Sequence, residues 1–331
     1  MIALAAIALG MVALYAYGRY RVSRAERRYP PTGEFVVAEG LRLHYRSRGE
    51  GRPIVYLHGG VLTGDDFKEA IELAAAEGYR GIAFDRPGYG YSERPRNGKV
   101  TPNAQARLLR KALIELGVDK PILVCHSWSG VLALAYALEY PDELSGIVGL
   151  GGGFYPEGYP AEKGDPVSSL ITTPVIGALA LHTLLPVLGP PLADSILKQT
   201  FKPESVPESY RLATRALWLR PSAFKANRED VLAFVPAARE MADRYREIRT
   251  PLVLAVGEDD PFETREHSFR LHREVPGSDL LVLPGVGHMI PQLHPEAVML
   301  AIKRLDGQAA NASRELPPAV IRSIGASEPS R

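Results

Sequence analysis

Leu123-Val124-Cys125-His126-Ser127-Trp128-Ser129-Gly130 is the stretch from which the rest of the chain can be interpreted. An apolar run stops abruptly at Ser127, and the residues two positions to either side, Cys125 and Ser129, are small. A strand ending at Cys125 and a helix starting near Ser129 would leave the Ser127 hydroxyl exposed on a tight, strained turn. We interpret the stretch as a nucleophile elbow. The alternative is a buried serine in an ordinary strand-turn-helix.

Apolar runs and helical segments alternate on both sides of this stretch. Residues 54–57, 81–84, 147–150 and 251–256 are short, continuous apolar runs, as expected of strands buried on both faces of a sheet. Residues 35–38 and 41–46 predict a hairpin. The alternation predicts an α/β fold, with a mostly parallel central sheet and helices on both faces.

Three loops directly follow predicted strands. They are His58-Gly59-Gly60, Asp85-Arg86-Pro87-Gly88 and the turn at Ser127. Ligands of such sheets bind outside the carboxyl ends of the strands, so the three loops are expected to surround one site.

The alternation of strands and helices lapses over residues 154–247, which hold proline and predicted helical patches at residues 170–188, 210–219 and 230–241. We expect this segment to be an inserted helical cap. It divides a core domain into residues 33–153 and 248–305. Residues 306–331 carry no hydrophobic pattern and are expected to form a flexible tail.

Composition excludes several classes of function. The chain has 331 residues, 46% of them hydrophobic, and a net charge of +1, so it lacks the excess of Lys and Arg that nucleic-acid binding requires. One cysteine excludes an intrachain disulfide, and no Cys/His cluster has zinc-ligand spacing. We expect a small molecule as substrate, with no cofactor, no metal and no nucleic acid.

The amino terminus is the most apolar part of the chain. Residues 1–17 contain no charged side chain, and Arg19, Arg21, Arg24, Arg27 and Arg28 follow them. We expect a single-pass transmembrane anchor over residues 1–18 and a basic juxtamembrane linker over residues 19–32. The positive-inside rule then places the catalytic domain in the cytoplasm. A cleaved signal peptide, giving a secreted or periplasmic protein, is the alternative; it normally has its positive charge before the apolar region.

Residues 170–188 carry no charge apart from the titratable His182, which raises the question of a second membrane span. We do not expect one. A single crossing would put the strands before and after it on opposite sides of the membrane, and Pro174 and Pro186 interrupt the helix. The segment is instead expected to be the pocket-facing part of the cap, within reach of the bilayer interface.

The elbow and the loops around it resemble those of the serine hydrolases of the α/β-hydrolase superfamily, in the esterase- and lipase-like branch with a cap domain. The resemblance covers about residues 33–305 and is strongest outside the cap. It includes Asp85-Arg86-Pro87-Gly88-Tyr89-Gly90-Tyr91-Ser92, whose role in the family is loop architecture. Cys125 and Ser129 depart from the family, which usually has glycine at both positions.

The resemblance implies a catalytic triad whose members follow the order Ser, acid, His along the chain. Ser127 matches the nucleophile. Asp260, three residues after Gly257 and directly before a proline, matches the acid, with the neighbouring Asp259 as the alternative. These acids could also be a solvated loop. His288, after Gly287 on a loop behind the short apolar strand 280–283, matches the base.

His58-Gly59-Gly60 resembles the oxyanion loop of the same superfamily. The resemblance implies that the backbone N–H groups of Gly60 and Trp128 stabilise the developing oxyanion. His58 is expected to be a structural hydrogen-bonding residue beneath the loop. His126 adjoins Ser127, but neighbours across an elbow point apart, so it is not expected to be the base.

These residues together predict a serine hydrolase that cleaves a carboxylic ester through an acyl-enzyme. The apolar cap and the anchor suggest a lipophilic ester of small to medium size. Ser127 disfavours the epoxide hydrolases and haloalkane dehalogenases of this fold, which use aspartate. The same triad also supports hydrolytic carbon-carbon cleavage, amide hydrolysis and cofactor-free perhydrolysis. Outside catalysis, a ligand sensor with a lid-like cap or a membrane-tethered interaction protein remain alternatives.

Overall fold

The computed structural model describes residues 1–61, 63–96 and 98–307 and contains one sheet of eight strands. The order across the sheet is β1-β2-β4-β3-β5-β6-β7-β8. β1 and β2 form the predicted antiparallel hairpin, β2 pairs antiparallel with β4, and every other pairing is parallel. The strands are β1 Glu34–Ala38, β2 Leu41–Arg48, β3 Arg52–Leu57, β4 Tyr79–Phe84, β5 Ile122–His126, β6 Gly146–Leu150, β7 Leu252–Gly257 and β8 Asp279–Leu283.

Twelve α-helices lie in the described residues. They are α1 Ile2–Arg28, α2 Lys68–Ala76, α3 Pro102–Glu115, α4 Ser129–Glu139, α5 Pro166–Thr172, α6 Ile176–Thr183, α7 Leu185–Thr200, α8 Glu208–Leu217, α9 Pro221–Met241, α10 Thr264–Glu274, α11 Ile290–Leu293 and α12 Pro295–Leu305.

The central strands are mostly apolar because both faces of the sheet are covered. All residues of β5, β6 and β7 are buried. One hydrophobic cluster includes residues of α3, α4 and α9, and the other includes residues of α2 and α12. The register pairs Leu57 with Cys125 and Cys125 with Gly149, so the ends of β3, β5 and β6 lie at one edge. The predicted fold is confirmed.

The insertion between β6 and β7 is helical and contains α5 to α9, which we call the cap. Its own apolar cluster includes Ile171, Leu181, Trp218 and Phe224. Residues 170–188 do not form one helix. α5 ends at Thr172, and α5 and α6 are bent by 100° at the break that contains Pro174.

The amino-terminal helix α1 has 27 residues and runs through most of the basic segment. Residues 19–28, assigned from the sequence to a linker, are therefore helical; the first proline after them is Pro30. By length and composition α1 fits a membrane span or a signal sequence, and its apolar part is not buried by the rest of the chain. α1 packs on α6, α7 and α8.

Most of the carboxyl-terminal segment predicted to be a flexible tail, residues 308–331, lies outside the described residues. The chain is described as far as Gly307. Asp306 still belongs to the core, because its carboxylate accepts a hydrogen bond of 2.6 Å from the Tyr79 hydroxyl.

Candidate active site

Ser127 lies between β5 and α4 with a backbone φ of 54°, in the left-handed region that non-glycine residues rarely adopt. The turn is held on both sides by the backbone. The Ser127 N–H donates to the Leu150 carbonyl at 3.1 Å, and the Ser127 carbonyl accepts from Gly130 and Gly153 at 3.0 and 2.9 Å. The strand ends at His126, one residue later than predicted, and the helix begins at Ser129 as predicted.

The two non-glycine residues beside the elbow fit because they are small. Cys125 and Ser129 are completely buried. The Ser129 hydroxyl accepts from the His126 N–H at 2.9 Å and lies 2.8 Å from the Leu57 carbonyl oxygen. The Ser129 hydroxyl thus links the elbow to β3. Glycine, which has no hydroxyl, could not form this link. Burial raises the pKa of the Cys125 thiol to about 12, so this neighbour of Ser127 stays protonated.

The structure brings Ser127, His288 and Asp260 together. His288 Nε2 lies 3.0 Å from Ser127 Oγ, and His288 Nδ1 lies 2.7 Å from Asp260 Oδ2. Both distances are in hydrogen-bond range, which leaves Nε2 as the acceptor for the serine proton when Nδ1–H donates to Asp260. The side chains of His288 and Asp260 are 4% and 0% exposed, so water hardly competes for these bonds.

Asp260 is held as a carboxylate by its surroundings. Burial alone would raise its pKa, but the nearby His288 and hydrogen bonds from His288, Thr264 and the Phe262 N–H outweigh burial and lower it. The Thr264 hydroxyl donates to Asp260 Oδ2 at 2.5 Å. Asp259, the alternative acid, is exposed, and its side chain has no hydrogen-bond partner within the described residues.

The other two histidines near the site are buried and neutral. Burial, followed by the charge of His288, lowers the pKa of His126 to about 3, and burial followed by the charge of Arg86 lowers that of His58 to about 3. His58 Nε2 accepts from the Arg86 N–H at 2.9 Å, while its Nδ1 lies 2.9 Å from the Gly59 carbonyl. His126 Nε2 lies 2.9 Å from the His288 carbonyl oxygen. Both imidazoles contact backbone groups, and neither is hydrogen-bonded to the Ser127 hydroxyl within the described residues.

The loop after β3 approaches the elbow closely. A Cβ on Gly59 would lie 3.0 Å from the Ser127 Cβ, so a larger residue here would press on the nucleophile. Arg86 fixes this loop from below: its guanidinium donates to the His58 and Gly59 carbonyls at 3.0 and 2.8 Å. The N–H groups of Gly60 and Trp128 donate to no acceptor within the described residues.

Arg86 also joins the loop to the cap. It forms an ion pair of 2.6 Å with Asp230 of α9, and both side chains are 1% exposed. Arg94, Gln105 and the Tyr89 hydroxyl donate to the same carboxylate at 2.8, 3.0 and 3.1 Å. The Trp128 indole N–H donates to the Asp230 carbonyl at 2.9 Å. Helix α9 is therefore attached to both the elbow and the loop after β3.

A family model described as "Alpha/beta hydrolase family" matches residues 54–301, which include the elbow, the loops around it and the cap. The chain belongs to this family. The hydrolase activity predicted from the sequence is thereby supported at the level of the family. The family does not by itself define the bond that is cleaved.

Relatives of this hydrolase include enzymes with different substrates. It is 28% identical over 274 residues to a 2-hydroxy-6-oxononadienedioate/2-hydroxy-6-oxononatrienedioate hydrolase from Burkholderia vietnamiensis, covering 79% of this chain and 90% of the relative. It is 26% identical over 296 residues to haloalkane dehalogenase 2 from Mycobacterium bovis, covering 83% and 94%. A thermophilic esterase from Thermogutta terrifontis shares the fold, with a TM-score of 0.67, 23% identity and coverage of 84% and 99%.

Three residues at the site of the hydrolase were not predicted from the sequence. Thr264 bonds the acid. A Cβ on Gly151, whose φ is 47°, would lie 3.1 Å from Asp260 Oδ2 and 3.4 Å from His288 Nδ1, so a larger residue would crowd that pair and strain the backbone. Asn227, in the cap, contacts the Gly60 carbonyl. The run of glycines at residues 151–153, directly after a strand, was the signal in the sequence for Gly151. Thr264 and Asn227 have no such signal, because their roles depend on tertiary contacts.

Proposed function

We propose that the protein is a serine hydrolase that cleaves a carboxylic ester through an acyl-enzyme. The observation that carries the proposal is the chain of hydrogen bonds from Ser127 through His288 to Asp260, at 3.0 and 2.7 Å. Ser127 Oγ attacks the ester carbonyl carbon while His288 Nε2 takes the hydroxyl proton. Asp260 stabilises the imidazolium that forms, because its carboxylate accepts the Nδ1–H bond.

The tetrahedral intermediate carries a negative oxygen that needs donors. The unengaged N–H groups of Gly60 and Trp128 are the proposed donors. His288 then gives its proton to the leaving alkoxide, and the alcohol departs. Water, deprotonated by His288, attacks the acyl-enzyme; the acid is released and Ser127 regains its proton. The steps require no group beyond the chain, substrate and water.

A lipophilic ester of small to medium size is the proposed substrate. Cap helix α9 contacts the elbow and the Gly60 loop, and the Val61 side chain beside Gly60 packs against the apolar cap cluster of Ile171, Leu181 and Trp218. Tyr159 and Phe234 stack at 3.9 Å, and a Cβ on Gly153 would lie 3.0 Å from the Phe234 ring. These aromatic side chains lie close behind the elbow and favour an apolar acyl or alcohol group.

Active-site labelling with a fluorophosphonate tests the nucleophile. The probe reacts with an activated serine, so wild type should be labelled and Ser127→Ala should not. Equal labelling of the two proteins, or none of wild type, would rule out the serine hydrolase. Turnover of p-nitrophenyl esters from short to long acyl chains then defines the acyl group, with a maximum expected at intermediate length.

Hydrolytic carbon-carbon cleavage is a second candidate, favoured by the relatives named as 2-hydroxy-6-oxo-dienoate-type hydrolases. The same triad would support it. The competing assay follows loss of the absorbance of a 2-hydroxy-6-oxo-dienoate. Turnover of this substrate with a kcat/KM well above that of the best ester would replace the ester proposal with this one.

We further propose that α1 anchors the protein in a membrane as a single span over residues 1–18, with the basic residues 19–32 and the catalytic domain on the cytoplasmic side. The core domain would comprise residues 33–153 and 248–305, and the cap residues 154–247. Carbonate extraction of membranes containing the full-length chain tests the span: the protein should stay in the pellet, and its release would contradict insertion.

A further inference from the structure

The cap has an outer face that is apolar and exposed. Residues 166–193 contain no Asp, Glu, Lys or Arg, although they cover two complete helices and the start of a third. Many of their large apolar side chains are exposed, among them Leu184 at 50%, Val187 at 51% and Leu188 at 60%. A contiguous apolar surface of this kind usually marks an interaction site on a soluble domain. The same helices bury their other faces against α1 and α9.

The position of α1 indicates what covers this face. Tyr15 of α1 lies against His182 at a ring-centroid distance of 5.6 Å. A Cβ on Gly18 would lie 2.9 Å from Pro186 Cγ and 3.0 Å from the His182 carbonyl oxygen. The Arg21 guanidinium donates to the Pro186 carbonyl oxygen. The turn between α6 and α7 therefore touches α1 where its uncharged part ends.

The length of the uncharged part of α1 determines how deep in the membrane the turn between α6 and α7 would lie. Seventeen residues of α-helix extend for about 25 Å, whereas the hydrocarbon core of a bilayer is about 30 Å thick. The span proposed for α1 therefore has no residues to spare at the end that meets the cap. His182 and Pro186, which contact Tyr15 and Gly18, must then lie at the boundary of the hydrocarbon. The exposed Leu184, Val187 and Leu188 lie within two residues of His182 or Pro186 in the sequence.

The charged residues that line the space beside this contact are basic, apart from Glu26, and basic residues are the ones expected at an anionic lipid headgroup. A cavity of about 890 Å³ lies between α1 and the cap, and neither Ser127 nor His288 lines it. Arg24 and Arg28 line it together with the apolar Leu181 and Leu219. Anionic headgroups attract such arginines, while acyl chains suit the apolar wall.

We propose that the outer face of the cap, residues 166–192, inserts into the interfacial layer of the membrane leaflet that α1 enters. The protein would then contact the membrane at two places: the single span of α1, and the outer face of the cap, which lies in the plane of the membrane. This inference rests on the span proposed for α1. It also gives a lipophilic substrate a path from the bilayer to the cap.

Fluorescence quenching in vesicles tests the insertion with a matched pair of positions. Val187→Cys and Val37→Cys place a thiol at exposed valines, 51% exposed on the cap and 58% exposed on β1. Each full-length variant is labelled with an environment-sensitive dye. Cys125 is completely buried, and wild type treated with the same dye measures any background labelling of this cysteine. The vesicles contain phosphatidylcholine and phosphatidylglycerol, with a spin label near the headgroup end of some acyl chains. Matching thermal unfolding of both variants verifies the fold.

The proposal expects the dye at residue 187 to shift to shorter wavelength and to lose at least half of its emission to the spin label, while the dye at residue 37 does neither. A dye at residue 187 that stays unquenched on protein that floats with the vesicles would overturn the inserted cap and leave the span intact. Equal quenching at both positions would also overturn it. Failure of the protein to float with the vesicles would overturn both the inserted cap and the membrane span of α1. None of these readings depends on turnover, so they are independent of the proposed ester hydrolysis.

Discussion

The side-chain amide of Asn227, on cap helix α9, donates a hydrogen bond of 2.5 Å to the carbonyl oxygen of Gly60, on the oxyanion loop. The Gly60 carbonyl belongs to the peptide that follows the proposed oxyanion donor. A cap residue thereby restrains the orientation of the loop that holds the proposed oxyanion donor Gly60.

Asn227→Ala is expected to lower kcat by about tenfold and change KM little, because loss of a group acting mainly in the transition state lowers kcat. Asn227 would act as a positioning residue, so the rate of fluorophosphonate labelling should fall with kcat. Asn103→Ala is the control, since the Asn103 amide donates to the exposed Glu139 at 2.6 Å and has no other side-chain partner in the part of the chain that the structure describes. A change confined to KM, or an equal loss in both variants, would contradict this role.

Asp260 and Asp259 provide a paired test of the acid. Asp260→Asn keeps the size of the side chain but disfavours the histidine tautomer that accepts the serine proton. It should lower kcat by about 10³- to 10⁴-fold. Asp259→Asn should leave kcat within about twofold, because its side chain is exposed. Steady-state hydrolysis of one p-nitrophenyl ester measures both, and the reverse ranking would make Asp259 the acid.

The buried carboxylate of Asp230 should contribute strongly to stability. Asp230→Ala leaves Arg86 buried and unpaired, which should lower the free energy of unfolding by about 3–5 kcal/mol. Asp194→Ala removes a partly exposed partner of Arg215 and should cost less than about 1 kcal/mol. Urea unfolding followed by circular dichroism compares the two. An equal loss of unfolding free energy in the two variants would show that burial of the Arg86–Asp230 pair does not increase its contribution to stability.

Asp66 predicts a pH dependence of stability. Burial raises its pKa in the folded protein to about 8, above its ordinary value, and Tyr210 donates to it at 3.0 Å. A raised pKa stabilises the fold fully below the pKa of the unfolded chain, and this contribution is lost as pH rises through the folded value. The group therefore destabilises wild type progressively from about pH 4 to pH 8.

Asp66→Asn keeps a neutral side chain at every pH and should remove this dependence. The melting temperature of the variant minus that of wild type should rise between about pH 5 and pH 8. Asp119→Asn, at an exposed aspartate that does not act on Asp66, is the control and should show a flat difference. A flat difference for Asp66→Asn as well would mean that Asp66 is ionised in the folded protein.

Much of the fold could be predicted because its signals are local. Continuous apolar runs marked the central strands, and small residues beside Ser127 marked the elbow. The helix boundaries of the cap could not be read in the same way: α9 begins at Pro221, nine residues before the predicted patch at Asp230. Its polar residues Asn227 and Asp230 look like surface residues in the sequence. They are buried because Gly60 and Arg86, far away in the chain, supply their partners.

The φ of 54° at Ser127 has a consequence for the evolution and engineering of the enzyme. A left-handed conformation costs a non-glycine residue about 1–2 kcal/mol. Glycine would relieve this cost, but it has no hydroxyl. Ser127→Gly should therefore be more stable than Ser127→Ala and equally inactive. Selection for stability alone would remove the proposed nucleophile, so a screen of this protein for heat resistance has to select for turnover as well.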